Sequence, residues 1–269
     1  MHIFTVNLSH ADPARASAQK LTMVTCYRAY CEPRSANDKI TRLRYPMLTV
    51  PKPLPIPMLL TRPAGARVAL VMAHGAGAGK DHWFMAGMAQ ALANCAVATA
   101  RFDFGYIRAG RKMPDRGPVC EAEVRQVCAA VQQGWPDLRL FAGGKSMGAR
   151  MTSQTHAAEA LPGVQGLVFL GFPLHPAKKP SITRAAHLRC ITTPMLFLQG
   201  ERDALAELTL LRPQIAALTH ASLIEIAAAD HGFEVPKRTG RDRQALMAEL
   251  AAHIVTFMTT GDESAVAGS

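Results

Sequence analysis

Leu138-Arg139-Leu140-Phe141-Ala142-Gly143-Gly144-Lys145-Ser146-Met147-Gly148-Ala149-Arg150 is the stretch on which the reading of this chain turns. A short apolar strand over 138–142 runs into Gly144-Lys145-Ser146-Met147-Gly148, and a helix rich in small residues follows. Strand, sharp turn and helix in that order are what a G-x-S-x-G nucleophile elbow requires. Glycines two before and two after the serine let the backbone turn sharply and let the helix pack close to neighbouring strands. Ser146 then sits at a strained corner with its hydroxyl exposed. Short patterns of small residues also recur by chance, so the rest of the chain must supply the partners such a serine needs.

Outward from the elbow, strands and helices alternate. Upstream, Val68-Ala69-Leu70-Val71-Met72-Ala73 is a continuous apolar run, as in a parallel strand covered on both faces, and it ends in His74-Gly75-Ala76-Gly77-Ala78-Gly79. A helix over 83–94 and a buried strand over 96–102 lead into Asp103-Phe104-Gly105-Tyr106 and a basic loop carrying Arg108, Arg111, Lys112 and Arg116. Val124, Val127, Cys128 and Val131 form one apolar stripe on the next helix. Downstream come a strand over 164–171, the loop Phe172-Pro173-Leu174-His175-Pro176, a strand over 195–199, a helix over 205–218 and a last strand over 222–227. The closing helix, 242–258, places Leu246, Leu250, Ile254 and Met258 at four-residue intervals. This alternation predicts an α/β fold with a mostly parallel central sheet and helices on both faces.

In such a sheet, functional groups gather in loops at the carboxyl ends of the strands. Gly200-Glu201-Arg202-Asp203 follows one predicted strand and Asp230-His231-Gly232 follows the last, so Ser146, Asp203 and His231 each stand just past a separate strand. That is the chain order of an α/β-hydrolase triad. A serine hydroxyl is a poor nucleophile until an imidazole removes its proton during attack, and a buried carboxylate holds that imidazole in the right tautomer. The blander roles are a helix cap for Asp203 and an ordinary loop histidine for His231. Glu201 stands as a second possible acid. An acyl-transfer oxyanion needs two backbone donors, which fall to Met147 and to Ala76 with Gly75 beside it. The same glycine-rich loop fails as a P-loop: Gly75 to Lys80 is one residue short of G-x-x-x-x-G-K, and Asp81 follows where Ser or Thr is needed. Nor does it match G-x-G-x-x-G. Only about twenty residues separate Gly171 from Pro194, too few for a helical cap, so no lid domain is expected.

His74-Gly75-Ala76-Gly77, Arg101-Phe102-Asp103-Phe104, the loop from Arg111 to Arg116, Gly143-Gly144-Lys145-Ser146-Met147-Gly148, Phe172-Pro173-Leu174-His175-Pro176 and Ala229-Asp230-His231 together bear a resemblance to a known family. From residue 57 to 258 the chain resembles the small α/β-hydrolase-fold proteins grouped with testis-expressed protein and a subunit of the nonspecific-lethal chromatin complex, and dienelactone-hydrolase-like small hydrolases. The resemblance implies a serine-hydrolase-like fold with Ser146, Asp203 and His231 in the triad roles. It implies no substrate, and some relatives act as interaction modules. Gly105 stands where bacterial relatives often carry proline.

Bulk properties narrow the rest. The 269 residues are 49% hydrophobic, enough for one full core. We expect a poorly ordered extension over 1–45, a hydrolase domain over 46–260 and a flexible tail over 261–269. The prolines of Pro51-Lys52-Pro53-Leu54-Pro55-Ile56-Pro57 suit an edge or linker. No apolar run is long enough to span a bilayer and no secretory h-region is evident. Cys26, Cys31, Cys95, Cys120, Cys128 and Cys190 include no C-x-x-C pair and read as reduced thiols, which predicts a cytoplasmic protein. The net charge is +10, but aromatic residues are only 6% of the chain and do not interleave with basic ones, so nucleic acid is not an expected partner. Arg101, Arg108, Arg111, Lys112, Lys145, Lys178, Lys179, Lys237, Arg238 and Arg241 fall in strand-end loops and could form a positive rim for an anionic ester. Lys145 and His175, with Gly75, are the candidate substrate contacts. His74, His82 and His175 lack metal-ligand spacing, so neither a metal nor a cofactor is expected. The combined expectation is a cytoplasmic hydrolase of a carboxylic ester or thioester acting through acyl-Ser146, with a non-catalytic interaction module as the alternative and any protein partner unknown.

Overall fold

The computed structural model describes residues 56–260. The expected extension, most of the proline-rich linker and the C-terminal tail lie outside the described residues. Within them, edge strand β1 (Met58–Thr61) is followed by β2 (Val68–Ala73), α1 (Trp83–Asn94), β3 (Val97–Phe102), a single turn α2 (Gly105–Arg108) and α3 (Gly117–Gly134). Then come β4 (Arg139–Lys145), α4 (Met147–Ala158), β5 (Val164–Leu170), a 3-10 helix (Thr183–Cys190), β6 (Met195–Gly200), α5 (Leu208–Ala216), β7 (Ala221–Ile226), a short 3-10 turn (Lys237–Thr239) and α6 (Arg243–Thr259).

The sheet runs β1-β3-β2-β4-β5-β6-β7. Only β1 is antiparallel, lying against β3 with Met58 opposite Phe102. This is the α/β-hydrolase fold with an open, lidless sheet. Because helices cover both faces, the interior strands are apolar on both sides, and period-2 alternation sorts them into two cores. Ala69, Val71 and Ala73 join the core under α3, α4 and α5, whereas Val68, Leu70 and Met72 join the core under α1 and α6. The α6 stripe of Leu246, Leu250, Ile254 and Met258 is buried in the second of these.

Strand order decides where the site lies. From β2 the chain crosses outward to β3, then jumps back past β2 to β4 and continues the other way. The carboxyl ends of β2 and β4 therefore flank the crevice where connections diverge, the usual ligand position in an open α/β sheet. Ala73 pairs with Gly144 in that ladder, which sets the His74–Gly79 loop beside the elbow.

Two expected elements are corrected. The helix expected over 205–218 is shorter, Leu208–Ala216, because Asp203 Oδ1 accepts the Leu205 N–H at 2.7 Å and keeps the preceding segment in a turn. The elbow strand runs on through Gly143, Gly144 and Lys145, since parallel pairing with β2 and β5 continues to its end. The Thr183–Cys190 turns and β1 were not expected, being short and without a clear period.

Candidate active site

Ser146 occupies the junction of β4 and α4 at φ 52° and ψ −113°. A non-glycine residue at positive φ carries roughly 1–3 kcal/mol of strain and persists only where its surroundings hold it. Here the Ser146 N–H donates to Leu170 O at 3.0 Å, and Ser146 O accepts the Arg150 N–H at 3.1 Å as the first bond of α4. On either side of the serine, Gly144 and Gly148 press against β2. A Cβ at either would stand 2.2 or 2.1 Å from Ala73 O. Close backbone approach, rather than a left-handed conformation, demands glycine at these two positions.

Asp203 follows β6 and is buried at 3% exposure. Its Oδ2 accepts Gln199 Nε2 at 2.5 Å and lies 2.7 Å from His231 Nδ1. His231 Nε2 is in turn 2.8 Å from Ser146 Oγ. With the carboxylate ionised, one neutral tautomer satisfies both contacts: Nδ1–H donates to Asp203 and Nε2 accepts from the serine hydroxyl. The His231 loop must travel from β7 back across β6 and β5 to meet the elbow. It crosses β6 at Gly200, where a Cβ would lie 2.5 Å from Ala229 O, and Arg202 N–H donates to Ala229 O at 2.8 Å. Asp230 Oδ1 accepts the N–H groups of Gly232 and Glu234 at 2.8 and 2.9 Å, closing the turn around the histidine. Glu201, the alternative acid, accepts the Ala228 N–H at 2.8 Å from the exposed side and braces this loop instead. Asp203 caps no helix, because Glu207 holds the N-cap position of α5.

Gly75 lies against the elbow, its Cβ position 3.6 Å from Ser146 Cβ. Met147 opens α4, so its N–H has no acceptor within the helix. Among the described residues, the Ala76 N–H donates to no protein acceptor. Two backbone N–H groups without protein acceptors thus belong to the adjoining strand ends, one directly after Ser146 and one directly after Gly75. The loop that carries Ala76 is stapled to the segment after β3 by His74, for which a site-lining or structural role was expected, and by Tyr106 and Asp103, which had no expected role. His74 is buried; its Nδ1 donates to Gly75 O at 2.7 Å and its Nε2 accepts the Phe104 N–H at 3.1 Å. That pairing requires a neutral ring, and burial lowers its basicity. Tyr106 OH accepts the Gly77 N–H at 2.9 Å. Asp103 takes the Lys80 N–H at 2.6 Å and Lys80 Nζ at 2.7 Å. Burial pushes the Asp103 carboxyl up, but the Lys80 bonds outweigh it and hold the group below its ordinary range. The sequence signals were the His74-Gly75-Ala76-Gly77 and Arg101-Phe102-Asp103-Phe104 blocks, neither of which includes Tyr106 or Lys80.

Two of the three candidate substrate contacts have other partners. Lys145 does not face the crevice of Ser146: its Nζ is buried and donates to His231 O at 2.5 Å, 5.2 Å from the Phe233 ring centre. A side chain in a strand leans to the face opposite its neighbour, and Ser146 is that neighbour. His175 is fully buried, with Nδ1 2.9 Å from Pro176 O, and its backbone N–H donates to Leu205 O at 3.0 Å, which ties its loop to the segment after β6; Nε2 lies 3.1 Å from Glu207 Oε2 without hydrogen-bond geometry. Several rim cations are also spoken for. Arg101 donates to Lys80 O, Arg108 pairs with Glu123, Arg111 with Asp115 and Arg241 with Glu249. Lys112, Lys178, Lys179, Lys237 and Arg238 are exposed.

A second serine–histidine pair lies on the far side of the elbow helix. Ser153 Oγ is 2.8 Å from His187 Nε2, but Ser153 is fully buried mid-helix and its hydroxyl donates to Arg150 O at 2.9 Å. Burial and the nearby Arg150 charge pull His187 down to about 4, so the pair is neutral packing. Among the described residues, no group of three or more His, Cys, Asp or Glu is arranged to hold a metal ion, and no helix is long and apolar enough to cross a membrane.

A family model described as alpha/beta hydrolase domain matches residues 66–259. Among solved structures, the chain is similar to a dienelactone hydrolase from Anabaena variabilis, at 20% identity over 76% of this chain and 91% of that one, with a TM-score of 0.61. It is also similar to an alpha-beta serine hydrolase homologue from Coxiella burnetii, at 19% identity over 74% and 90% of the two chains, TM-score 0.58. A lidless serine hydrolase from Xanthomonas campestris matches at 17% identity over 75% and 89%, TM-score 0.58. At these identities the likeness is one of fold.

Proposed function

The chain belongs to the alpha/beta hydrolase domain family, and on that premise we propose that it is a serine hydrolase cleaving a carboxylic ester or thioester through an acyl-Ser146 intermediate. The observation that carries this reading is the unbroken hydrogen-bond chain from Asp203 through His231 to Ser146. Ser146 Oγ attacks the acyl carbon as His231 Nε2 takes its proton, and Asp203 stabilises the imidazolium. The developing oxyanion is met by the N–H groups of Met147 and Ala76. The imidazolium then protonates the leaving alkoxide or thiolate, and water deacylates the serine by the same relay in reverse. These steps call on no cofactor.

Within the family we group the chain with the testis-expressed and nonspecific-lethal-type proteins, on its Gly143-Gly144-Lys145-Ser146-Met147-Gly148 and Phe172-Pro173-Leu174-His175-Pro176 blocks. A preference for anionic esters keeps the support of the exposed lysines and loses that of Lys145. A reducing, cytoplasmic setting fits the four described cysteines, all unpaired, with burial pushing the Cys120 thiol up to about 11 and Cys128 to about 12. The non-catalytic module finds no specific support in the site, since pure binding gives no reason to hold Ser146 at φ 52°.

The test is covalent. The purified protein should label with a fluorophosphonate probe and hydrolyse short acyl esters, and Ser146→Ala should remove labelling and lower turnover by about 10³-fold or more. Absence of both labelling and turnover across a broad ester panel, in a folded protein, would return the reading to an interaction module.

A further inference from the structure

Among the described residues, Lys145 is the one buried ammonium beside the proposed triad, and the mechanism above leaves it unused. Its backbone immediately precedes the nucleophile, while its side chain reaches the other way, to the loop that carries the base. Nζ donates to His231 O at 2.5 Å and lies 5.7 and 5.2 Å from the ring centres of Phe84 and Phe233, on α1 and the His231 loop. Gly171, at the end of β5, leaves the space. A Cβ there would stand 3.0 Å from Lys145 Nζ and 3.6 Å from Asp203 Oδ2, so the ammonium and the triad carboxylate share one small enclosure. The charged groups facing Lys145 are Asp203 on the β6 loop and Asp230 on the β7 loop.

We propose that Lys145 is a positioning residue: its ammonium ties the His231 backbone to the strand end that carries Ser146 and supplies a positive charge beside Asp203. The inference rests on the hydrolase reading for its kinetic consequences. Its structural content stands apart from that reading. Nothing else among the described hydrogen bonds joins the elbow strand to the backbone of residue 231. A hydrophobic residue of the same length would fill the space between Phe84 and Phe233 but release the carbonyl, freeing the imidazole to drift from Ser146 Oγ. The ammonium also places a positive charge in the same enclosure as the carboxylate that meets His231 Nδ1.

The pH dependence follows with a definite sign. Burial pulls the ammonium down to about 8, against the upward pull of Asp203 and Asp230. As pH rises through that value the charge disappears, and kcat should fall on an alkaline limb that belongs to Lys145.

The experiment compares wild type with Lys145→Met and Lys145→Arg. The readouts are ester turnover across pH, thermal melting, and the downfield proton resonance of His231 Nδ1, assigned by its loss in His231→Gln. In Lys145→Met we expect kcat to drop about 10- to 100-fold with KM within about 3-fold, as for a misplaced catalytic group. We also expect the alkaline limb to vanish, the Nδ1 resonance to shift or broaden, and cooperative melting to be retained. Lys145→Arg should restore part of kcat without an alkaline limb, because guanidinium stays charged. Unchanged kcat, pH limb and Nδ1 resonance in a folded variant would overturn the proposal, as would a loss that tracks KM alone. Should Lys145→Met fail to fold, Lys145→Arg carries the same readouts. Should wild type turn over no ester, the hydrolase reading fails, and the Nδ1 resonance alone decides the role of Lys145: a shift supports it and no shift sinks it.

Discussion

Gly148 shows how two effects at one residue oppose each other. Replacing a helical glycine with alanine ordinarily stabilises by about 1 kcal/mol. Here the added methyl would stand 2.1 Å from Ala73 O and 2.8 Å from His74 O, both backbone atoms of the central sheet and the donor loop. Backbone cannot rotate away as a side-chain tip can, and overpacking costs about 1–3 kcal/mol or more. The clash wins. Gly148→Ala should lower unfolding stability by about 1–3 kcal/mol in urea, and should reduce turnover further because the displaced segment carries Gly75 and Ala76. A variant as stable as wild type would mean that α4 slides away from β2 without cost.

The donor loop illustrates the element scale. Residues 75–79 are five glycines and alanines in succession and have no side chains that could order them. Their conformation is imposed from the segment after β3, through His74 to Phe104, Gly77 to Tyr106 OH and Lys80 to Asp103. Tyr106→Phe removes one staple while keeping the buried ring. The freed Gly77 N–H lies on an exposed residue and can turn to water, so the stability cost should stay near the ~1 kcal/mol net value of one hydrogen bond. Turnover is the sensitive readout, since on the proposed mechanism loosening this loop misplaces the Ala76 N–H. We expect kcat to fall about 3- to 10-fold with little change in melting temperature. An unchanged kcat would show that the remaining staples suffice.

For the whole molecule the question is what a net charge of +10 does to substrates. Cations tied into ion pairs contribute little at a distance, and Arg108, Arg111 and Arg241 are of that kind. The exposed Lys112, Lys178 and Lys179 still raise a screened positive field. The Debye length falls from about 30 Å at 0.01 M salt to about 10 Å at 0.1 M. Over that range kcat/KM for a carboxylate-bearing ester should fall by about 3-fold or more, while a neutral ester of equal acyl length should be nearly indifferent. Equal salt sensitivity would remove the anionic preference.

The sequence by itself determined the order of elements and the identity of the hydroxyl, imidazole and carboxylate groups that meet. Hydrophobic period and glycine spacing are local properties: β2 and α1 were legible to the residue, and Ser146, Asp203 and His231 could be picked out because each follows its own strand. Tertiary structure decided which way side chains point and what they touch. Lys145 looked like a substrate contact because it adjoins Ser146, yet strand alternation sends it to His231 O. His175 likewise proved fully buried, and Glu201 became a brace once the loop at Ala228 was brought against it. His74, Tyr106 and Asp103 carried no spacing signal, since their partners lie 20 to 30 residues away and meet only when β2 and β3 pair. Chain order survives folding, but the direction of a side chain exists only after the sheet has assembled around it.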